Sequence, residues 1–100
     1  MQVDNQKDAE AIYKKAVAAA KKLTKYVAHH EVYLHGGKSH GDEWVILIET
    51  DIPGGVGDAV ETIIDNHKRA MRVTTTYHEG KFDWASDTYI KPAVQIFFRF

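Results

Sequence analysis

The sequence predicts an α+β domain in which two helices pack on one face of a four- or five-stranded, mainly antiparallel sheet. Three observations carry the prediction. Apolar residues recur at helical spacing in two segments, one over residues 4–24 and one beginning near Asp58. The stretches after each switch to period-two alternation. Gly-rich segments at 36–42 and 51–57 punctuate the chain between them. The order is α-β-β-α-β-β, with room for a fifth strand, and no repeat, low-complexity tract or linker divides residues 1–100, which read as one domain.

In the first helix, Ala9, Ile12, Tyr13, Ala16, Val17, Ala20 and Leu23 fall on one face. Lys14, Lys15, Lys21, Lys22 and Lys25 lie largely off that stripe. Asp4, Asp8 and Glu10 come early and the lysines late, which suits the helix dipole. Residues 26–35 then alternate: Tyr26, Ala28, His30, Val32 and Leu34 on one face, Val27, His29, Glu31, Tyr33 and His35 on the other. With a turn at 36–42, a strand at 43–50 completes a hairpin, and its apolar run suits a central position.

Pro53 and the glycines at 54, 55 and 57 must leave the sheet. Asp58 followed by Glu61 reads as a capping box for the second helix. Its expected buried stripe is Val60, Ile63, Ile64, His67 and Met71, with Lys68, Arg69 and Arg72 at its C-terminal end. The β-branched segment 71–78 reads as a strand, Glu79-Gly80 as a two-residue turn, and 81–86 as the returning strand. Ser86-Asp87 marks a break or bulge. After Pro92 the tail alternates again, with Val94, Ile96, Phe98 and Phe100 on one face and Phe97 on the other.

This element order is a circular permutation of the β-α-β-β-α-β ferredoxin-like plan, and a cystatin-like sheet wrapping one long helix is the competing arrangement. Neither assigns a function, because such folds host many.

Composition excludes more than it selects. There is no cysteine, so disulfides, thiolate metal sites and cysteine nucleophiles are ruled out. Thirteen Lys+Arg against fourteen Asp+Glu gives a net charge of −1, which argues against nucleic-acid binding through bulk charge. Size scaling buries about 65% of the extended-chain surface, enough for one core without staples. The first fifteen residues lack an apolar signal segment, and the longest strongly apolar run, Trp44 to Ile48, is far too short to span a bilayer. Together these point to a cytoplasmic protein without a membrane partner.

The net charge hides a segregation. Residues 1–25 hold six lysines and three acids, whereas residues 42–65 hold seven acids and no Lys or Arg. Such separation can steer a charged partner to one face.

Six histidines make metal binding and acid–base chemistry the obvious tests. His29 and Glu31 share a strand face and could flank one ion, and His35 and His40 bracket the hairpin loop. Only pairs can be named, whereas zinc needs three or four convergent ligands, so no metal or cofactor is expected. His30 and His67 fall on core faces, where a neutral, hydrogen-bonded histidine is the common outcome; beside Glu61 or Asp65 in a cleft, either becomes a general-base candidate. Ser39 and Ser86 sit in no nucleophile elbow, so no catalytic residue is assigned. The segment 36–42 has glycines and a lysine but not the spacing of a phosphate loop. The loop 51–58 opens a helix, but Asp51 and Asp58 would repel an anion there.

Aromatics crowd the last nineteen residues. Unpaired aromatics on a sheet edge or face are typical anchors for a protein partner; the competing arrangement is a two-sided core, with residues from 82 onward packed beneath both helices. The expected contact residues are Tyr33, His35, Lys38, His40, Phe82, Trp84, Tyr89 and Phe97, on a sheet face or edge and the 36–41 loop.

The expected function is therefore a non-enzymatic interaction or assembly module, binding a protein partner or its own copies. Its size, element order and missing catalytic set resemble those of small phage assembly proteins and phage-encoded inhibitors. Two alternatives stand beside it: a small enzyme using His/carboxylate chemistry in a sheet–helix cleft, and a nucleic-acid binder using the lysine-rich first helix.

Overall fold

The chain runs α1 (Val3–Leu23), β1 (Val27–Gly37), β2 (Gly41–Thr50), α2 (Pro53–Asp65), β3 (Met71–His78), β4 (Lys81–Asp83), β5 (Thr88–Ile90) and β6 (Ala93–Arg99). This computed structural model describes residues 3–37 and 41–100, the side chains of residues 3, 4, 37, 41 and 42 excepted. Four strands form an antiparallel sheet in the order β1-β2-β6-β3, and β4 and β5 form a separate two-stranded ribbon. Both helices lie on one face of the larger sheet: α1 over β1 and β2, α2 over β6 and β3, with the helices packed against each other. The class is α+β.

The predicted stripes build the core. Ala9, Ile12, Ala16 and Ala20 of α1 and Val56, Val60 and Ile64 of α2 close on Ile46, Ile48, Val94, Ile96 and Phe98 of the two central strands. Small residues on α1 let the helix approach closely, and the larger side chains come from the sheet. Leu23, expected on the α1 stripe, is instead exposed at the last helical residue, beyond the edge of the core.

Val27 and Val32 both pack on this core although an odd number of positions separates them. A register shift between Val27 and His30 inserts a bulge, which flips Val27 from the face that simple alternation assigns to it. The β1–β2 pairing also runs on to Gly37 opposite Gly41, so the connection is tighter than the 36–42 turn that the glycines suggest.

The capping box does not form. α2 begins at Pro53 with no side-chain cap, and Asp58 and Glu61 lie inside it. Proline at the first turn is already set for helical φ and needs no donor there, so the helix starts one turn and more before the aspartate. It also ends earlier than expected, at Asp65. His67–Ala70 form a turn, and Met71 begins β3 at 64% exposure rather than completing a helical stripe.

The largest departure lies in the C-terminal strands. Glu79-Gly80 is not a hairpin turn: β3 pairs with β6 in the register Thr75 to Ile96 and Tyr77 to Val94. The chain continues through Glu79-Gly80 into β4, which pairs with β5, and reverses over residues 84–87. There Asp87 takes a positive φ of 55°, and the Asp83 carboxylate accepts from Ala85 N at 3.1 Å and from Ser86 Oγ at 2.8 Å. Asp83 supplies the side-chain acceptor of an Asx-type turn, and Asp87 the αL residue that closes it. Among the described residues β4 and β5 pack on each other and on no other helix or strand, so they project as an arm. With the arm included, the molecule measures 43 × 32 × 18 Å along its principal axes.

Candidate interaction surface

Among the described residues no element covers the face of the sheet opposite the helices. Pairing places Tyr33, Val45, Phe97 and Thr74 in one row across it, and Glu31, Leu47, Gln95 and Thr76 in the next. Val45 is nonetheless fully buried, outside the helix-side core. Its shelter is local. The Gln95 amide donates to the Tyr33 hydroxyl at 3.2 Å, and its carbonyl accepts from His78 Nε2 at 2.8 Å, forming a strap from β1 to β3 over the middle strands. Beside it the His35 ring meets Phe97 edge-on at 6.2 Å, and Arg99 donates to Glu43 at 3.2 Å. Three expected contact residues, Tyr33, His35 and Phe97, therefore meet on this face. Phe97 is half-buried and Phe98 lies under the helices, so the sheet is covered on one side only.

The arm carries three others. Phe82 and Tyr89 are directly opposed, and the Phe82 and Trp84 ring centroids are 4.6 Å apart. All three rings are exposed, Trp84 at 84%. Tyr89 folds back so that its hydroxyl lies over Gly80, where any β-carbon would collide with it. This close approach explains glycine at the joint between β3 and the arm. The arm hangs from the Ala93 end of β6 whereas Phe97 lies towards the other end, so the expected set divides into two separate groups. Lys38 and His40 lie outside the described residues.

Of the histidine pairs, His29 Nε2 and Glu31 Oε2 come within 3.6 Å, both substantially exposed. Among the described residues no group of three or more His, Cys, Asp or Glu converges on a point. The other two histidines sit as boundary residues. The Tyr13 hydroxyl donates to His30 Nδ1 and lies 3.3 Å from the His30 carbonyl oxygen. Burial foremost, then the Lys21 and His29 charges, lowers the His30 pKa, so the imidazole is neutral and accepts. Tyr13 is pushed the other way, by burial and then by Glu31, and keeps its proton.

His67 accepts from Arg69 N at 3.3 Å and packs edge-on against Phe100 at 5.8 Å. It lines a cleft of about 550 Å³ between α1 and the end of α2, with Lys15, Lys68 and Arg69 around the apolar Ile12 and Ile63. The carboxylate beside it is Asp8, at 3.9 Å, and Arg69 also binds Asp8 at 2.7 Å. Glu61 and Asp65, the carboxylates expected near a histidine, face Arg72 and Tyr77 on the far side of α2. Lys14, Lys15, Lys21 and Lys22 are exposed along α1.

No family model, curated protein or solved structure matches the chain. No helix among the described residues is long and apolar enough to cross a membrane.

Proposed function

We propose that this chain is a non-enzymatic protein-interaction module whose contact element is the β4–β5 arm, in the manner of a small inhibitor, adaptor or assembly protein. The observation that carries the reading is the exposed cluster of Phe82, Trp84 and Tyr89 on a ribbon that, among the described residues, packs on no other helix or strand. Holding three large rings in water forfeits the apolar burial each could gain, on the order of 1.5–3 kcal/mol per large side chain. The tilted Phe82–Trp84 contact groups two of the rings into one apolar patch, which favours an anchor role. The half-sheltered open face, with Tyr33, His35 and Phe97, supplies a second surface. The test is a capture experiment from the native host with wild type and Trp84→Ala as baits. Proteins retained by wild type and lost by the variant support the reading, and identical retention by both sinks it.

A second reading, a small acid–base enzyme, is favoured by the His67–Asp8 pair in its open cleft. The closer Arg69 contact already engages the Asp8 carboxyl group, and among the described residues no nucleophile accompanies the pair, which ranks this reading below the first. Hydrolysis of activated carboxylic and phosphoric esters that disappears in His67→Gln would promote it. No turnover over the buffer rate would end it.

A further inference from the structure

We propose that copies of this chain join head to tail, the β3 edge of one pairing antiparallel with the β1 edge of the next, so that the basic flank of α1 lies against the acidic flank of α2. The inference rests on the reading of the chain as an interaction module but uses the sheet edges and helix flanks rather than the aromatic cluster of the arm.

Among the described residues β1 and β3 are the two unpaired edges of the sheet, and α1 overlies the first while α2 overlies the second. β3 is an eight-residue edge strand, MRVTTTYH, with no proline and no lysine, and Met71, Val73 and Tyr77 are exposed along it. Open edges of this kind present unpaired backbone donors and acceptors to another strand. Beyond the bulges, β1 is regular from His30 to Gly37 and β3 from Thr74 to His78.

The flanks have opposite sign. On the β1 side, α1 turns Lys14 and Lys21 outward around a shallow cavity of about 340 Å³ lined by Tyr13, Val17, Ala18 and His30. Neither lysine has an ion-pair or hydrogen-bond partner among the described residues. Glu10 lies on the same side but accepts from Gln6 at 3.1 Å. On the β3 side, α2 presents Asp58, Glu61 and Asp65; Arg72 serves the last two and the Asp58 carboxylate is unpaired among the described residues. Helix periodicity produces this on each element, since 14 and 21, like 58, 61 and 65, fall on one side of their helices.

Direction and register agree with charge. Because β1 and β3 run antiparallel, a copy that continues the sheet with its helices on the same face adds β1 to β3 in the antiparallel sense already used throughout. One row crosses the sheet as His30, Ile48, Val94 and Tyr77. Continued without stagger, that row brings exposed Tyr77 to the next copy's His30, at the mouth of the cavity between Lys14 and Lys21. A two-fold antiparallel pair through either edge, helices on the same face, would instead set acids against acids or lysines against lysines. The complementary join is heterologous and leaves both outer edges free to add further copies, closing into a ring if the rotation permits.

The test is sedimentation velocity of the full chain from micromolar to millimolar at low and at high salt. Wild type is expected to self-associate at low salt and to weaken as salt rises. The exposed-site variants Lys14→Glu/Lys21→Glu and Asp58→Lys/Asp65→Lys are each expected to weaken association at least tenfold, and their equimolar mixture to recover it. Trp84→Ala is expected to assemble like wild type. A strictly monomeric wild type at low salt overturns the proposal, as does an effect of only one reversal or a mixture that stays monomeric. Assembly lost in Trp84→Ala places the contact on the arm and overturns the edge pairing, while partner capture through the arm is read separately.

Discussion

The Tyr77 ring lies directly against Gly57: a β-carbon at position 57 would come within 2.8 Å of Tyr77 Cε1 and 3.2 Å of Val94 Cγ2. A helix interior disfavours glycine relative to alanine by roughly 0.5–1 kcal/mol, so glycine here reflects the close approach of α2 to β3 and β6. Burial first, then Glu61 and Asp58, raises the Tyr77 pKa and keeps the phenol protonated at this contact.

Gly57→Ala is therefore expected to lower stability by about 1 kcal/mol, overpacking outweighing the gain in helix propensity. In a Tyr77→Ala background the loss should fall by at least half. Denaturant midpoints of the four proteins in this cycle measure the coupling, and strict additivity would show that the ring is not the obstacle.

Thr75 faces Ile96 beneath α2, and its buried hydroxyl has no hydrogen-bond partner. An unsatisfied buried hydroxyl costs about 1–3 kcal/mol, and valine fills nearly the same shape. Thr75→Val should raise the unfolding free energy by about 1 kcal/mol. A loss of stability in urea titration would mean that the hydroxyl is satisfied in solution.

His30 gives the molecule a pH dependence of defined sign. Its pKa is lowered in the folded state from the ordinary 6.5, so between the two values the unfolded chain binds more protons. The corresponding stability is present above about pH 6.5 and is lost as pH falls through the folded pKa. Denaturation midpoints between pH 8 and pH 5 should decline less steeply in His30→Gln, which retains an acceptor for Tyr13. Equal slopes would remove His30 as the cause.

Two aromatics of similar size should behave oppositely. Phe98→Ala removes a fully buried core ring, a loss of about 3–5 kcal/mol that approaches the whole stability of a small domain. Trp84→Ala is expected to shift stability by no more than about 0.5 kcal/mol, since the indole is exposed on the arm. Thermal melts of the two variants check both, and a destabilised Trp84→Ala would mean that the arm packs on the body.

Local chemistry determined the helices, the hairpin and the helix-side core. The stripe Ala9, Ile12, Ala16, Ala20 and the alternation Val94, Ile96, Phe98 each need only one element's period to be read, and each is buried as its pattern implies. Tyr33, His35 and Phe97 were legible as members of the face opposite that core. Their link was not: the strap through Gln95 and His78 joins residues 62 and 17 positions apart, and glutamine and histidine carry no periodic signal. Tertiary structure also decided where the chain turned back. Glu79-Gly80 satisfies a local turn rule, but pairing β3 with β6 buries Val94, Ile96 and Phe98 in the middle of the sheet, which a short β3–β4 hairpin would have left at an edge. That pairing pushed Phe82, Trp84 and Tyr89 out as an arm. It also placed the lysines of α1 and the acids of α2 on opposite margins, converting a charge segregation along the chain into two complementary sides of a sheet. Sequence carries the period of each element, whereas the partner of each strand is a competition among distant segments for buried area, settled only when the chain closes on itself.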